Sequence, residues 1–494
     1  MSVVTETDTR KKIIRNYINI AIIFGVMIAF HFIPAPAPIT TMGMQVIGIF
    51  IGMIYGWMTC GMLWPSLAGI LMLGFTEYCA SPEAALGMAL TNSTAMMMLV
   101  AFIAFNYVAG TGLTEWIATW LITRKFTIGK PWVFMIFLWV AGILIAGVFN
   151  VVILIIMMFE FVIPLFKEMG YTKDDMFPVY MLLGISANLG LCTVWPAFLP
   201  HSIYTRGIIA SALGHPLTTL QYTMCIAVPL LTMVVTYIFV GKFILRIDTS
   251  KFKAGSAALA QKMQENKGKG LTTEQKHGAI VLALFILGCA VPAILPTTWP
   301  IISTLNRMGV VGVSTLTVIA VIVLMKKDGT TLTTFDRLMH AMDWNMILLT
   351  AAIMTIAASI TSQGTGIVAY LSMVIIPLLS KMSVLGFVIL VMIVMCIVSQ
   401  FSMNMVLQMI FAPILGPILL QAGYNPMIAV MAVYFGTQLA FLAPSGSMMA
   451  AMVFAKTDWV KPRNLYKICA VWIPLTMVIW VIMTLIFPNI FCPM

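Results

Sequence analysis

The sequence predicts an all-α polytopic membrane protein, with about 11 transmembrane helices plus two re-entrant hairpins, built as an inverted repeat with broken helices. Three observations predict it. Of the 494 residues, 61% are hydrophobic and only 9% charged, against roughly 25% charged in soluble domains. Asn150 and Asn404 each interrupt a long apolar run, and they stand 404 − 150 = 254 residues apart. Gly110-Thr111-Gly112 and Gly364-Thr365-Gly366 repeat at the same offset, and Gly170-Tyr171 and Gly423-Tyr424 repeat at 253. Finally, nearly all of the 27 Lys and Arg fall into segments that a single threading places on one side of a bilayer.

Several classes are excluded at once. The net charge of +11 follows from topology, so no nucleic-acid partner is implied. The eight cysteines are scattered singly without CxxC or Cys/His ligand spacing, which argues against a disulfide framework or a zinc site. The 42 methionines read as adaptable packing rather than a copper site.

Residues 1–16 form a basic N-terminal tail whose Arg10, Lys11, Lys12 and Arg15 keep it in the cytoplasm. The first transmembrane helix, 17–34, runs without a small-residue cleavage site and stops at Pro34-Ala35-Pro36-Ala37-Pro38, which cannot continue a helix. Repeat 1 occupies 35–241. Spans near 42–59 and 62–76 form a tight pair, the polar segment 77–92 lies outside, and 93–110 returns inward. Trp116 and Trp120, just before Arg124 and Lys125, suit an interfacial helix. The segment 131–166 is too long for one span and has lysines at both ends, which predicts a hairpin with Asn150 at its tip. A broken helix over 176–212 follows, interrupted around Asn188, Thr193 and Pro196, and 218–241 returns inward.

Residues 242–277 are a basic cytoplasmic linker, read as a solvated helix or a partly disordered segment that can meet lipid headgroups. Repeat 2, 278–490, mirrors the first, with spans near 278–295, 308–325 and 344–362, a hairpin over 383–420 and a broken helix over 426–455. The last span, 468–488, leaves the C-terminus outside. Five spans separate the two asparagines, and an odd number inverts the second repeat.

Such a layout makes a polar site where lipid would otherwise forbid one. Unwound backbone supplies carbonyl oxygens for a hard cation, and helix N-termini supply N–H groups for an anion. Candidate substrate-binding residues are Asn150, Asn188, Thr193 and Pro196 from the first half. The second half adds Asn404, Thr437, Pro444, Ser445, Gly446 and Ser447. The bland alternative for any one asparagine is a hydrogen bond to a neighbouring helix, and for Pro444 to Gly446 a kink. Glu160 reads either as a proton relay or as a residue near the hairpin base, and Arg206 either as an anion partner or as a side chain snorkelling to the outer interface.

From about residue 40 to 490 the pattern resembles the divalent anion:sodium symporter family of dicarboxylate, citrate and sulfate carriers, within the ion transporter superfamily. That family carries Ser-Asn-Thr at each tip. The matching triplets here, Phe149-Asn150-Val151 and Met403-Asn404-Met405, keep only the asparagines. Pro444-Ser445-Gly446-Ser447 matches loosely the family's Thr-Pro-Pro-Asn-like motif, and Trp195-Pro196-Ala197 occupies the first break. The resemblance implies that both tip triplets, with Ser402, bind the coupling cation. It further implies a homodimer working by an elevator motion.

The expected function is therefore secondary active transport of a small organic anion, a carboxylate, coupled to a cation (Na+). The alternative is a proton-coupled carrier or exchanger of a different or less charged solute. Five scattered histidines, with neither HExxH nor paired intramembrane carboxylates, leave little machinery for a membrane enzyme, and a channel is a further rival. The expected partners are the anionic substrate, the coupling cation, membrane lipids and a second copy of the chain, with no cofactor beyond Na+. The expected location is the cytoplasmic (inner) membrane.

Overall fold

A computed structural model describes residues 6–61, 63–113, 116–117, 129–146, 151–191, 200–254, 270–295, 298–324, 329–340, 342, 344–379, 381–401, 404–444 and 446–493. It is built from helices. Ahead of the repeats stands α1 (Glu6–Ala29). Repeat 1 begins with α2 (Thr41–Thr59), α3 (Leu63–Leu73), α4 (Pro82–Leu90) and α5 (Ser93–Gly110). It continues through α6 (Pro131–Ala146), α7 (Val151–Glu168), α8 (Met176–Leu191), α9 (Pro200–Leu213) and α10 (Thr219–Ile244), with the short α11 (Ser250–Ala254) after it. Repeat 2 opens with α12 (Thr273–Ile294), α13 (Pro300–Val323), α14 (Phe335–His340) and α15 (Trp344–Thr361). It adds α16 (Ile367–Leu379), α17 (Val384–Val398), α18 (Asn404–Gln421), α19 (Pro426–Thr437), α20 (Met448–Phe454) and α21 (Pro462–Phe491). Side-chain caps mark many of the starts, with Thr40, Ser81, Asn92, Thr272, Ser383, Asn425 and Ser447 each accepting a first-turn N–H.

Four of these helices, α10, α13, α18 and α21, are individually long and apolar enough to cross a bilayer. Much of the remaining apolar chain comes in pieces of 10–17 residues. The expected span near 62–76 is the 11-residue α3, and that near 308–325 is the part of α13 that follows a kink at Gly309. The polar segment 77–92 contains α4, which buries Ala85 and Ala89.

The repeats interlock. α5 packs against α12, α13 and α14, while its counterpart α15 packs against α2, α3 and α4. The two Gly-Thr-Gly markers are gripped the same crosswise way. Thr40, the cap of α2, donates from its N to Thr365 O (3.0 Å) and from its hydroxyl to Gly364 O (2.8 Å). Gln275, in the first turn of α12, donates to Gly112 O (3.1 Å), and Thr111 packs against Gly278. Gly112 and Gly366 both turn through left-handed backbone, at φ 71° and 66°, as a helix-ending glycine does. Gly170 and Gly423 repeat that conformation at φ 71° and 81°.

Within each repeat, two apolar arms flank one enclosed helix. α6 and α7 both pack on α8, and α17 and α18 both pack on α19. A 16-residue helix such as α8 is about 24 Å long, whereas arms joined into one straight helix would run about twice as far, so both can lie along it only if the chain folds back between them. α8 is buried at every residue from Phe177 to Leu189 and α19 from Met427 to Thr437. These two helices form the inner core, and each is the leading arm of a broken helix.

The expected linker does not begin as free chain. Phe252 is buried against Phe134 and Phe177, its N–H donates to the Tyr171 hydroxyl (3.0 Å), and Lys251 pairs with Asp175 at 2.7 Å. Asp174 in the same turn pairs with Lys461 at the start of α21. Residues 255–269 lie outside the described residues.

Candidate substrate and cation site

The second arm of each hairpin begins at an asparagine or directly after one. α18 opens at Asn404 itself, and α7 opens at Val151, one position after Asn150. Each second arm therefore points its N-terminal N–H groups and partial positive charge at the tip. Phe149, Asn150, Ser402 and Met403 lie outside the described residues, as do Thr193, Pro196 and Ser445. The site is built from what surrounds them.

The buried amide oxygen of Asn404 finds no hydrogen-bond donor among the described residues. In α8, Asn188 is fully buried, its Nδ2 donates to Gly184 O (2.9 Å), and its Oδ1 likewise has no donor among them. A buried acceptor left open is costly, so both oxygens are candidate ligand contacts. Ser186, half a turn earlier, also keeps a buried hydroxyl without a partner among the described residues.

The second break is held open by side chains. Gln400, at the end of α17, donates to Leu439 O (3.2 Å) and Cys396 O (2.7 Å) and accepts from Leu442 N (2.9 Å). One amide thus ties the hairpin tip to both sides of the unwound stretch after α19. Ser447 donates to Ala440 O (3.2 Å) across the break and caps α20 by accepting from Ala450 N (3.0 Å). Gly446 is buried beside Ala440 and Pro444 is exposed. α20 packs on α8, with Met449 facing Gly190, so the second break lies beside the helix that carries Asn188.

A closed network sits on the other side of Asn404. Gln408 donates to the Thr437 hydroxyl (2.8 Å), which donates to Tyr434 O (2.8 Å). Tyr204, from α9, donates to Met405 O (3.2 Å) and approaches Gln408 Oε1 (3.5 Å). The far arm of the first broken helix is thereby joined to the second hairpin and the second broken helix. Thr437 is consequently a bonded strut, with both functions of its hydroxyl in use.

Sequence reasoning overlooked Gln400 and Gln408. Their signal was available, since amides at 400, 404 and 408 recur every four residues through an apolar run, the spacing that puts side chains on one helical face. Arg206 is half-buried and donates to Leu217 O (2.7 Å), holding the loop after α9. Glu160 is exposed on α7, apart from the buried network. Among the described residues no group of His, Cys, Asp and Glu could hold a metal ion. The oxygens on offer are amides, hydroxyls and carbonyls, the donor set of a hard cation.

Comparisons with known proteins agree with this architecture. A search of curated proteins gave no match. Among solved structures, the YdaH transporter of Alcanivorax borkumensis, described as having an unusual topology, superposes with a TM-score of 0.53 at 12% identity, over 87% of this chain and 89% of that one. That likeness is one of fold. The family model for citrate transporters (CitMHS) matches residues 13–314, more than half of the sequence, and the chain therefore belongs to the citrate transporter family.

Proposed function

We propose that this protein is a secondary active transporter that carries a small organic anion, a carboxylate, across the cytoplasmic membrane. The carrying observation is the pair of buried amide oxygens, on Asn188 and Asn404, without donors among the described residues and close to two helix breaks. Helix N-termini at the tips favour the carboxylate, and the amide and carbonyl oxygens favour a coupling cation. Substrate contacts are assigned to Asn150, Asn188 and Asn404, with Thr193, Pro196 and the segment Pro444 to Ser447 forming the breaks around them. Cation contacts are assigned to the two tip triplets and Ser402.

Sodium is preferred over the proton as coupling ion because the network around Asn404 is built of amides and hydroxyls, which do not titrate near neutral pH. The working cycle is an elevator motion in a homodimer, with the interlocked α2–α5 and α12–α15 as the fixed frame. The N-terminus lies in the cytoplasm and the C-terminus outside.

Uptake of labelled citrate into proteoliposomes tests the site. Asn150→Ala and Asn404→Ala, each inserted and folded, abolish uptake, and retained uptake in both removes the assignment. Replacing external sodium by potassium collapses the rate, whereas an unchanged rate that responds to a pH gradient selects the proton-coupled alternative.

A further inference from the structure

The last helices of the two repeats, α10 and α21, meet along an antiparallel seam. Tyr237 stands edge-on to Trp472 with ring centres 5.1 Å apart, and the hydroxyls of Thr236 and Thr476 lie at 3.1 Å. Further along, Trp480 donates to Pro229 O at 2.8 Å. At the far end Cys225 Sγ and Cys492 Sγ are 3.7 Å apart, although 267 positions separate them in the chain.

Both thiols are held in place. Cys492 follows the end of α21, and its N–H donates to Pro488 O (2.9 Å). Asn425, the cap of α19, grips that end by donating to Cys492 O (2.6 Å) and Pro488 O (3.1 Å) while accepting from Met427 N (3.0 Å). Cys225 is fully buried in a π-helical turn, Thr223–Ala227, an insertion that perturbs the regular register of α10 at this point.

We propose that Cys225 and Cys492 are a modification site, a thiol pair that oxidises to a disulfide stapling the ends of the two repeats together. Closing the bond brings the sulfurs from 3.7 Å to about 2.05 Å, a movement open to Cys492 because it lies past the helix end. The oxidant is a disulfide donor such as oxidised glutathione. The Cys492 thiolate attacks one glutathione sulfur and expels the first glutathione thiolate; the Cys225 thiolate then attacks the Cys492 sulfur and expels the second. Two protein thiols are oxidised, one glutathione disulfide is reduced, and the two thiol protons end on the two glutathiones. With the C-terminus outside, as proposed above, this end of the seam meets an oxidising compartment. The staple lies along a seam already packed over its whole length, so it stabilises the protein and leaves uptake intact.

The test uses the full-length protein in detergent, treated with either oxidised glutathione or dithiothreitol, then denatured and labelled with a maleimide. Of the eight cysteines, 8 − 2 = 6 label after oxidation and all eight after reduction. Peptide mass spectrometry finds a Cys225–Cys492 link, and the thermal midpoint rises by several degrees on oxidation. Cys225→Ser and Cys492→Ala each lose both the link and the rise. Eight labelled thiols after oxidation, glutathione trapped on Cys492 alone, or a rise that persists in Cys492→Ala would overturn the proposal.

Discussion

The two repeats wrap one backbone plan around different side chains, and the difference separates what holds the protein together from what is left to meet a ligand. In the leading arm of the second broken helix, Thr437 spends its hydroxyl on Tyr434 O and Gln408. In the first, Asn188 bonds only Gly184 O and keeps its acceptor open among the described residues. The junctions differ too. The second Gly-Thr-Gly is gripped by close backbone contact with residues 38–43, the first by the side chain of Gln275 and by Thr111 against Gly278. The leading arm of the first broken helix keeps an open acceptor among the described residues, that of the second closes its hydroxyl, and the second Gly-Thr-Gly is the one held by backbone.

The largest expected effect is on uptake. Asn188→Ala abolishes proteoliposome uptake while shifting the thermal midpoint little, because among the described residues its amide makes one bond, within its own helix. Thr437→Val removes two bonds and strands the Gln408 amide, which costs about 1–3 kcal/mol, so this variant loses stability and keeps part of its uptake. The reverse outcome, with uptake lost at Thr437 and kept at Asn188, breaks the comparison.

Next come the junction glycines. Gly366→Ala places a Cβ at left-handed φ and into the Pro38 carbonyl, for an expected loss of about 3 kcal/mol. Gly112→Ala carries the conformational cost of left-handed backbone, about 1–2 kcal/mol. Thermal midpoints that fall equally would mean that the junctions are equally tight. The smallest effect belongs to Gln275→Ala, which removes the capping box of α12 and one bond to Gly112, about 1 kcal/mol by the same measurement.

Much of this architecture was legible in the sequence because lipid imposes a harsh rule: apolar runs are helices, and their interruptions have to be useful. Asn404 and the two Gly-Thr-Gly markers announced the hairpins and the duplication for that reason. Gln400 and Gln408 were harder to see, since their role depends on which backbone atoms the second break exposes, and that is a tertiary fact. Thr437 stands in the sequence as a candidate substrate contact, and only the structure shows its hydroxyl bonded to Gln408 and Tyr434 O. The Cys225 and Cys492 pair carried no local pattern at all, because its spacing is created by the packing of α10 on α21.

The crosswise grip on the two Gly-Thr-Gly loops bears on ancestry. A chain of half this length would carry a loop with no cap to hold it and a capped helix with nothing to hold. Two copies inserted in opposite orientations would satisfy both needs at once. Neither half of the present chain completes its own Gly-Thr-Gly junction, so the two repeats are obligate partners.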